Sequence, residues 1–142
     1  MDRAEVTAVV ERFYRALNAR DLAGVQALID ETFAADFAAR LPPSLPYGGE
    51  HDAAQMKRLM KGLLTAPEPV IDPEAIKIER LLAAENEAVV ELSFPWKLPG
   101  QEPLATGNIE WFRFAGGKLV EMLVLYRDTA PLAERVAQAR AG

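Results

Sequence analysis

The chain has 142 residues, 50% hydrophobic and 26% charged, with a net charge of −5, a composition that suits one globular domain over residues 1–142 with a core of its own. It holds no cysteine and a single histidine, His51, so disulfides, thiolate sites and a cysteine nucleophile are excluded, and no spacing suggests a metal or other cofactor. The acidic balance, with no extended Lys/Arg cluster, argues against nucleic acid and anionic membranes and leaves a small, fairly neutral ligand or another protein chain.

The opening Met1-Asp2-Arg3-Ala4-Glu5 lacks the apolar core of a signal peptide, and no apolar run approaches the roughly 18 to 20 residues that span a bilayer, so a cytoplasmic protein is expected. Asp2 caps a predicted helix whose apolar positions Val6, Val9, Val10, Phe13 and Leu17 recur at helical spacing, with Tyr14 bordering the stripe. Asp21 caps a second, shorter helix bearing Leu22, Val25, Leu28 and Ile29. Thr32 to Phe37 reads either as a short strand or as a last helical turn.

Leu41 to Gly49 is a loop, because its prolines and glycines leave little else. Leu41, Leu45 and Tyr47 make it apolar, which suits either a lid or a loop packed on the core. His51 stands at the start of a third helix capped by Asp52, with Met56, Leu59, Met60, Leu63 and Leu64 along one side. Beyond Pro67, Pro69 and Pro73, a strand begins at Ile76 and turns near Glu85-Asn86. The next strand, Ala88 to Trp96, contains Pro95, which marks an edge, a bulge or a strand end. A run of about four antiparallel strands thus follows the three helices, and Pro131 opens a short C-terminal helix from Leu132 to Ala139.

The strongest local signal is Ala115-Gly116-Gly117-Lys118 between two β-rich runs, a hairpin pairing Thr106–Phe114 with Leu119–Asp128. Strand alternation puts Asn108, Glu110, Phe112 and Phe114 on one face, and Ile109, Trp111 and Arg113 on the other. On the return strand Val120, Met122, Val124, Tyr126 and Asp128 share a face. Glu110 and Asp128 are then carboxylates among apolar neighbours, where desolvation raises a pKa and makes a proton-transfer group. The pairing of helices first and an antiparallel sheet after them is α+β.

Three segments together resemble the nuclear transport factor 2-like superfamily, and within it the SnoaL-like polyketide cyclases and the ketosteroid isomerases. They are Val10 to Leu22, Pro46-Tyr47-Gly48-Gly49, and Gly107 to Phe114 with Gly116 to Leu119 and Tyr126-Arg127-Asp128. The resemblance implies a curved antiparallel β-sheet wrapped by three N-terminal helices into a cone with an internal pocket, a cystatin-like or ketosteroid isomerase-like fold. It also implies no cofactor, and a homodimer through the outer sheet face, which gives Ile109, Trp111 and Leu123 a reason to be apolar.

Matched residue by residue, the oxyanion-side acid of the ketosteroid isomerases falls on Glu110. Their oxyanion tyrosine falls on Phe13, which has no hydroxyl, and Tyr14 is one place along, about 100° round the helix. Their general base falls near Phe37, beside Asp36. Steroid isomerisation is therefore not expected. The epoxide hydrolases of the superfamily are also set aside, because Asn108 stands where their arginine would be. The SnoaL-like outline fits better and needs one acid/base in an apolar pocket.

The sequence thus points to a small-molecule pocket protein, acting as a cyclase, isomerase or dehydratase on a hydrophobic carbonyl-bearing substrate. Glu110 and Asp128 are the candidate catalytic carboxylates. Phe13, Tyr14, Leu17, Tyr47, Met56 and Met60, with Asn108, Phe112, Met122, Val124 and Tyr126 on the hairpin, are the candidate substrate-binding residues. The alternative is a noncatalytic ligand-binding or dimerisation module of the same fold.

Overall fold

The structure is a computed structural model that describes residues 1–142. It starts with two helices, α1 (Arg3–Asn18) and α2 (Leu22–Thr32), and continues through β1 (Phe33–Leu41), β2 (Gly49–His51) and α3 (Ala53–Thr65). Strands β3 (Lys77–Ala84), β4 (Glu87–Trp96), β5 (Leu104–Ala115) and β6 (Lys118–Tyr126) follow, and α4 (Ala130–Ala141) ends the chain.

Three aspartates start the first three helices, as the sequence suggests. Asp2 Oδ1 accepts from the Glu5 amide at 2.9 Å while Glu5 answers to the Asp2 amide at 2.8 Å. Asp52 and Gln55 repeat this reciprocal box at 2.8 and 2.7 Å, and Asp21 accepts from the Gly24 amide at 2.9 Å. Each box satisfies amides that the first helical turn leaves without partners.

The strands form one curved, unclosed six-stranded sheet in the order β2-β1-β6-β5-β4-β3. Two expectations are corrected here. The run of four antiparallel strands, β3 to β6, is extended by β1 and β2 to six, and the sheet is mixed, because β1 runs parallel to β6. The alanines of Phe33-Ala34-Ala35-Asp36-Phe37-Ala38-Ala39 have little β-preference and leave strand and helical turn both open; the open edge of β6 and the burial of Phe33, Phe37 and Ala39 decide for the strand. His51 correspondingly ends β2 rather than opening α3.

The hairpin forms with both turn glycines at positive φ, 59° at Gly116 and 75° at Gly117, the backbone a two-residue primed turn requires. A bulge beside Phe114 shifts the register: Arg113 pairs with Glu121 and Phe114 with Leu119, so Val120 has no partner. The inward positions of β6 are therefore Leu119, Met122, Val124 and Tyr126, and Val120 leaves the face first assigned to it. Pro95 lies in β4 just past the last residue paired with β3, Ser93, so its missing N–H breaks no ladder on that side.

Helices α1, α2 and α3 pack together and against the sheet, enclosing a core that includes Val6, Val10, Phe13, Val25, Leu28, Val90 and Phe112. Helix α4 seats Leu132 and Val136 in the same core, and Gln101 Nε2 donates to the Arg135 carbonyl at 3.2 Å, tying it to the β4–β5 loop.

Candidate functional site

The inner sheet face is not packed solid. A cavity of about 300 Å³ lies between the sheet, α1 and α3, large enough for a ligand of two or three fused rings. Phe13, Tyr14 and Leu17 from α1 and Met56 and Met60 from α3 form two walls. The strands supply Asn108 and Glu110 from β5, and Met122, Val124 and Tyr126 from β6. Tyr47 closes one side from the β1–β2 loop.

Two of the expected site residues lie elsewhere. Asp128 is exposed, beyond the end of β6, where its Oδ1 accepts from the Ala130 amide at 3.0 Å near the start of α4. Strand alternation stops at Tyr126, so it no longer aims Asp128 inward. Phe112 is buried behind the cavity, edge-on to Phe13 and Tyr14 with ring centroids 6.5 and 6.1 Å away. Asp36 is exposed too, leaving no carboxylate at the base position of the ketosteroid isomerases.

Other lining residues escaped the sequence reading. Leu92 and Phe94 come from β4, whose strict alternation of Ala88, Val90, Leu92, Phe94 and Trp96 was a usable signal. Glu68, Pro69, Val70 and Ile71 come from the connection after α3; an apolar pair directly after proline was the only hint there.

Within the cavity the polar groups form two clusters. The Tyr14 hydroxyl donates to Glu110 Oε1 in a short hydrogen bond, and Asn108 Nδ2 donates to Glu110 Oε2 at 3.4 Å. Burial pushes the Glu110 carboxyl above the usual carboxylate range; the bonds from Tyr14 and Asn108 offset part of that rise by favouring the charged form. Burial, followed by the adjacent Glu110 charge, holds the Tyr14 phenol well above its usual value, so it stays a donor. Tyr14, almost fully buried, thus sets its hydroxyl against Glu110, one helical position from Phe13.

The second cluster joins Trp96, Tyr47 and Tyr126. Trp96 Nε1 donates to the Tyr47 hydroxyl at 3.1 Å, and the Tyr47 and Tyr126 hydroxyls lie 2.5 Å apart. An indole N–H only donates, so the two phenols hold two protons and use one between them. The other has no partner among these three groups. Burial raises both phenols, which remain neutral. These bonds, with buried Leu45, seat the 41–49 loop on the core.

Apart from Glu68 at its edge, the remaining lining carries no charge, and no Lys, Arg or His side chain is part of it. Asn108 Oδ1 is buried without any hydrogen-bond partner. The site therefore offers a desolvated carboxyl, a spare phenolic donor and an unpartnered amide acceptor inside a hydrophobic chamber.

A helix-wrapped curved sheet enclosing such a chamber defines a cone-shaped α+β protein of the cystatin-like kind, able to take up a small molecule. Residues 10–122 match the family model of the SnoaL-like domain, and the chain belongs to that family, within the nuclear transport factor 2-like superfamily. No curated protein is detectably similar to it in sequence. Among solved structures it is similar to Bal32a from a soil-derived mobile gene cassette, at 14% identity and a TM-score of 0.77 over 95% of this chain and 98% of that one. It is similar to a candidate SnoaL-like polyketide cyclase from Jannaschia sp. CCS1, at 15% identity and a TM-score of 0.72 over 95% and 94% of the two chains. AclR, a candidate hydroxylase from Streptomyces galilaeus, is 21% identical with a TM-score of 0.66 over 96% and 83%. At these identities the likeness carries the fold and not the reaction. No helix is long and apolar enough to cross a membrane.

Proposed function

We propose that the protein binds a hydrophobic, carbonyl-bearing small molecule in this cavity and moves a proton on it, as a cofactor-independent cyclase, isomerase or dehydratase. The observation that carries the reading is the Glu110 carboxyl, desolvated inside an apolar chamber and held in place by Tyr14. A carboxyl with a raised pKa exchanges protons closer to neutral pH, where an acid/base catalyst works best.

The geometry suggests how the roles divide. Tyr126 pairs across the hairpin with Asn108, and Val124 with Glu110, so Tyr126 and Glu110 are diagonal neighbours on one face, a spacing of about 7–8 Å. A carbonyl oxygen receiving the spare phenolic proton of the Tyr47–Tyr126 pair then places its α-carbon towards Glu110. The carboxylate takes the α-proton, the phenol stabilises the enolate oxygen, and the same carboxylic acid returns the proton at the product position. Tyr14 orients the carboxyl. The likeness to the candidate SnoaL-like polyketide cyclase supports a polyketide-type substrate, and the exposed apolar outer face supports a homodimer, here read as cytoplasmic.

The test is Glu110→Gln against a panel of enolisable aromatic ketones, with deuterium exchange at the α-carbon followed by NMR. Exchange catalysed by the wild type and lost by at least 10²-fold in the variant is expected for a general acid/base. Equal exchange in both would reject the proton-transfer role and leave a ligand-binding module.

A further inference from the structure

Asn108 is the one buried side chain of the cavity with an unused polar atom. It is 5% exposed, in the middle of β5, and its amide nitrogen is committed to Glu110 while Oδ1 meets no donor. A buried acceptor without a partner is costly, and such groups in a cavity wall are satisfied when the cavity fills. The groups around it decide what would fill it. Glu110 is an acceptor when ionised, Tyr14 spends its proton on Glu110, the Tyr126 phenol across the strand meets the amide as an acceptor and not as a donor to Oδ1, and the lining holds no cation. Glu68, also part of the lining, adds a second acidic group.

We propose that Asn108 selects the ligand: the cavity takes an uncharged, largely apolar molecule bearing a hydroxyl that donates to Asn108 Oδ1, and it rejects carboxylates. This rests on the pocket reading above and sharpens its substrate class to a hydroxylated ring system. A carbonyl alone satisfies the spare phenol and leaves Oδ1 empty; a molecule with a hydroxyl near its carbonyl satisfies both. An anionic ligand would be desolvated beside Glu110 with no counter-charge in the lining, and the exposed Glu68 at the edge adds a charge of the same sign. Asn108 is then a specificity-determining residue, distinct from the group that moves the proton.

Four naphthalene probes of one size separate the possibilities by titration calorimetry near pH 7. They are 2-naphthol, 2-methoxynaphthalene, 2-naphthoate and 2-naphthylmethylamine. In the wild type, 2-naphthol should bind about tenfold more tightly than 2-methoxynaphthalene, the worth of one hydrogen bond that fills a buried acceptor, and 2-naphthoate should not bind measurably. Asn108→Leu, matched in shape, should bring the naphthol and methoxy probes to within about twofold of each other; Asn108→Ala serves the same purpose with a smaller side chain. The comparison in the wild type needs no variant to fold.

Equal binding of the two neutral probes, or a naphthol preference that survives both substitutions, overturns the role of Asn108 while leaving the pocket reading intact. Tighter binding of the methoxy probe would mean that the amide presents its NH₂ to the cavity, and overturns it too. Tightest binding by the amine would assign these acceptors to a cation, and tight binding by the naphthoate would remove the charge argument. Failure of all four to bind overturns the pocket reading and the inference together.

Discussion

The Tyr14 hydroxyl donates to Glu110 Oε1 across 96 residues of chain, joining the first helix to the central strand inside the cavity. The bond favours the charged carboxyl, yet burial outweighs it and the Glu110 pKa is raised. A sign follows for stability. The folded carboxyl keeps its proton to higher pH than the unfolded one, whose pKa is about 4.3. The folded state therefore binds more protons above that pH, and this group's contribution to stability falls as the pH rises through its folded pKa. Glu110→Gln removes the contribution. In urea unfolding at steps from about pH 4 to pH 8, the stability of the variant relative to wild type should climb with pH and then level off. A constant difference would mean that Glu110 ionises as it does in water.

Tyr14→Phe deletes the donor and keeps the ring. Its hydrogen bond pulls the Glu110 pKa down, so the variant should titrate at still higher pH than wild type, read from the carboxyl-carbon NMR signal. The stability loss should be about 1–3 kcal/mol where the carboxyl is charged, since a hydrogen bond to a charged group is removed from a buried site, and it should shrink as the pH falls and the carboxyl becomes neutral. A titration unmoved by the substitution would show that the two groups are uncoupled.

The route to this pair was only half visible in the chain. Glu110 was found by strand alternation, because β5 is regular from Leu104 to Phe114 and its period of two survives. Tyr14 borders the stripe of α1 and counts among the candidate binding residues, but helical spacing gives a face some width and not the one residue in it that reaches Glu110. Asp128 failed for the opposite reason: alternation was extended past Tyr126, where the strand ends and the residue instead serves the start of α4. Strand β1 is one of the two readings that Thr32 to Phe37 allow, because alanines carry no period, and its parallel pairing to β6 is made by tertiary contacts alone. The Trp96–Tyr47–Tyr126 cluster joins three separate elements, and no local pattern announces that.

On the outer sheet face, Ile109 pairs with Leu125 in register and both are exposed, at 40% and 52%; Trp111 at 38% stands beside them. An apolar group of this kind on adjacent strands is the expected centre of a homodimer contact. Sedimentation velocity at micromolar concentration should show a dimer, and Leu125→Glu should weaken it at least tenfold while leaving 2-naphthol binding unchanged. A wild type that sediments as a monomer throughout would place the patch outside any self-association.

Gly48 determines whether Tyr47 reaches the cavity at all. A Cβ at this position would lie 2.0 Å from the Pro42 carbonyl oxygen and 2.8 Å from the Pro43 Cα, both backbone atoms with nowhere to go. The loop is closed there by the Leu45 amide on the Pro42 carbonyl at 3.2 Å and the Gly48 amide on the Leu45 carbonyl at 2.9 Å. Gly48→Ala must open this turn, costing about 1–3 kcal/mol as overpacking does, and draw the Tyr47 hydroxyl away from Tyr126 and Trp96. Gly49→Ala is the control: it meets nothing within 4 Å and strains only its own backbone at φ +100°, so it should cost a comparable amount without moving Tyr47. The readout is the emission of Trp96 in a Trp111→Phe background. It should shift in the Gly48 variant, whose indole loses its hydroxyl partner, and stay in place in the Gly49 variant, whereas an unchanged spectrum in both would show that Tyr47 holds its seat without the tight turn.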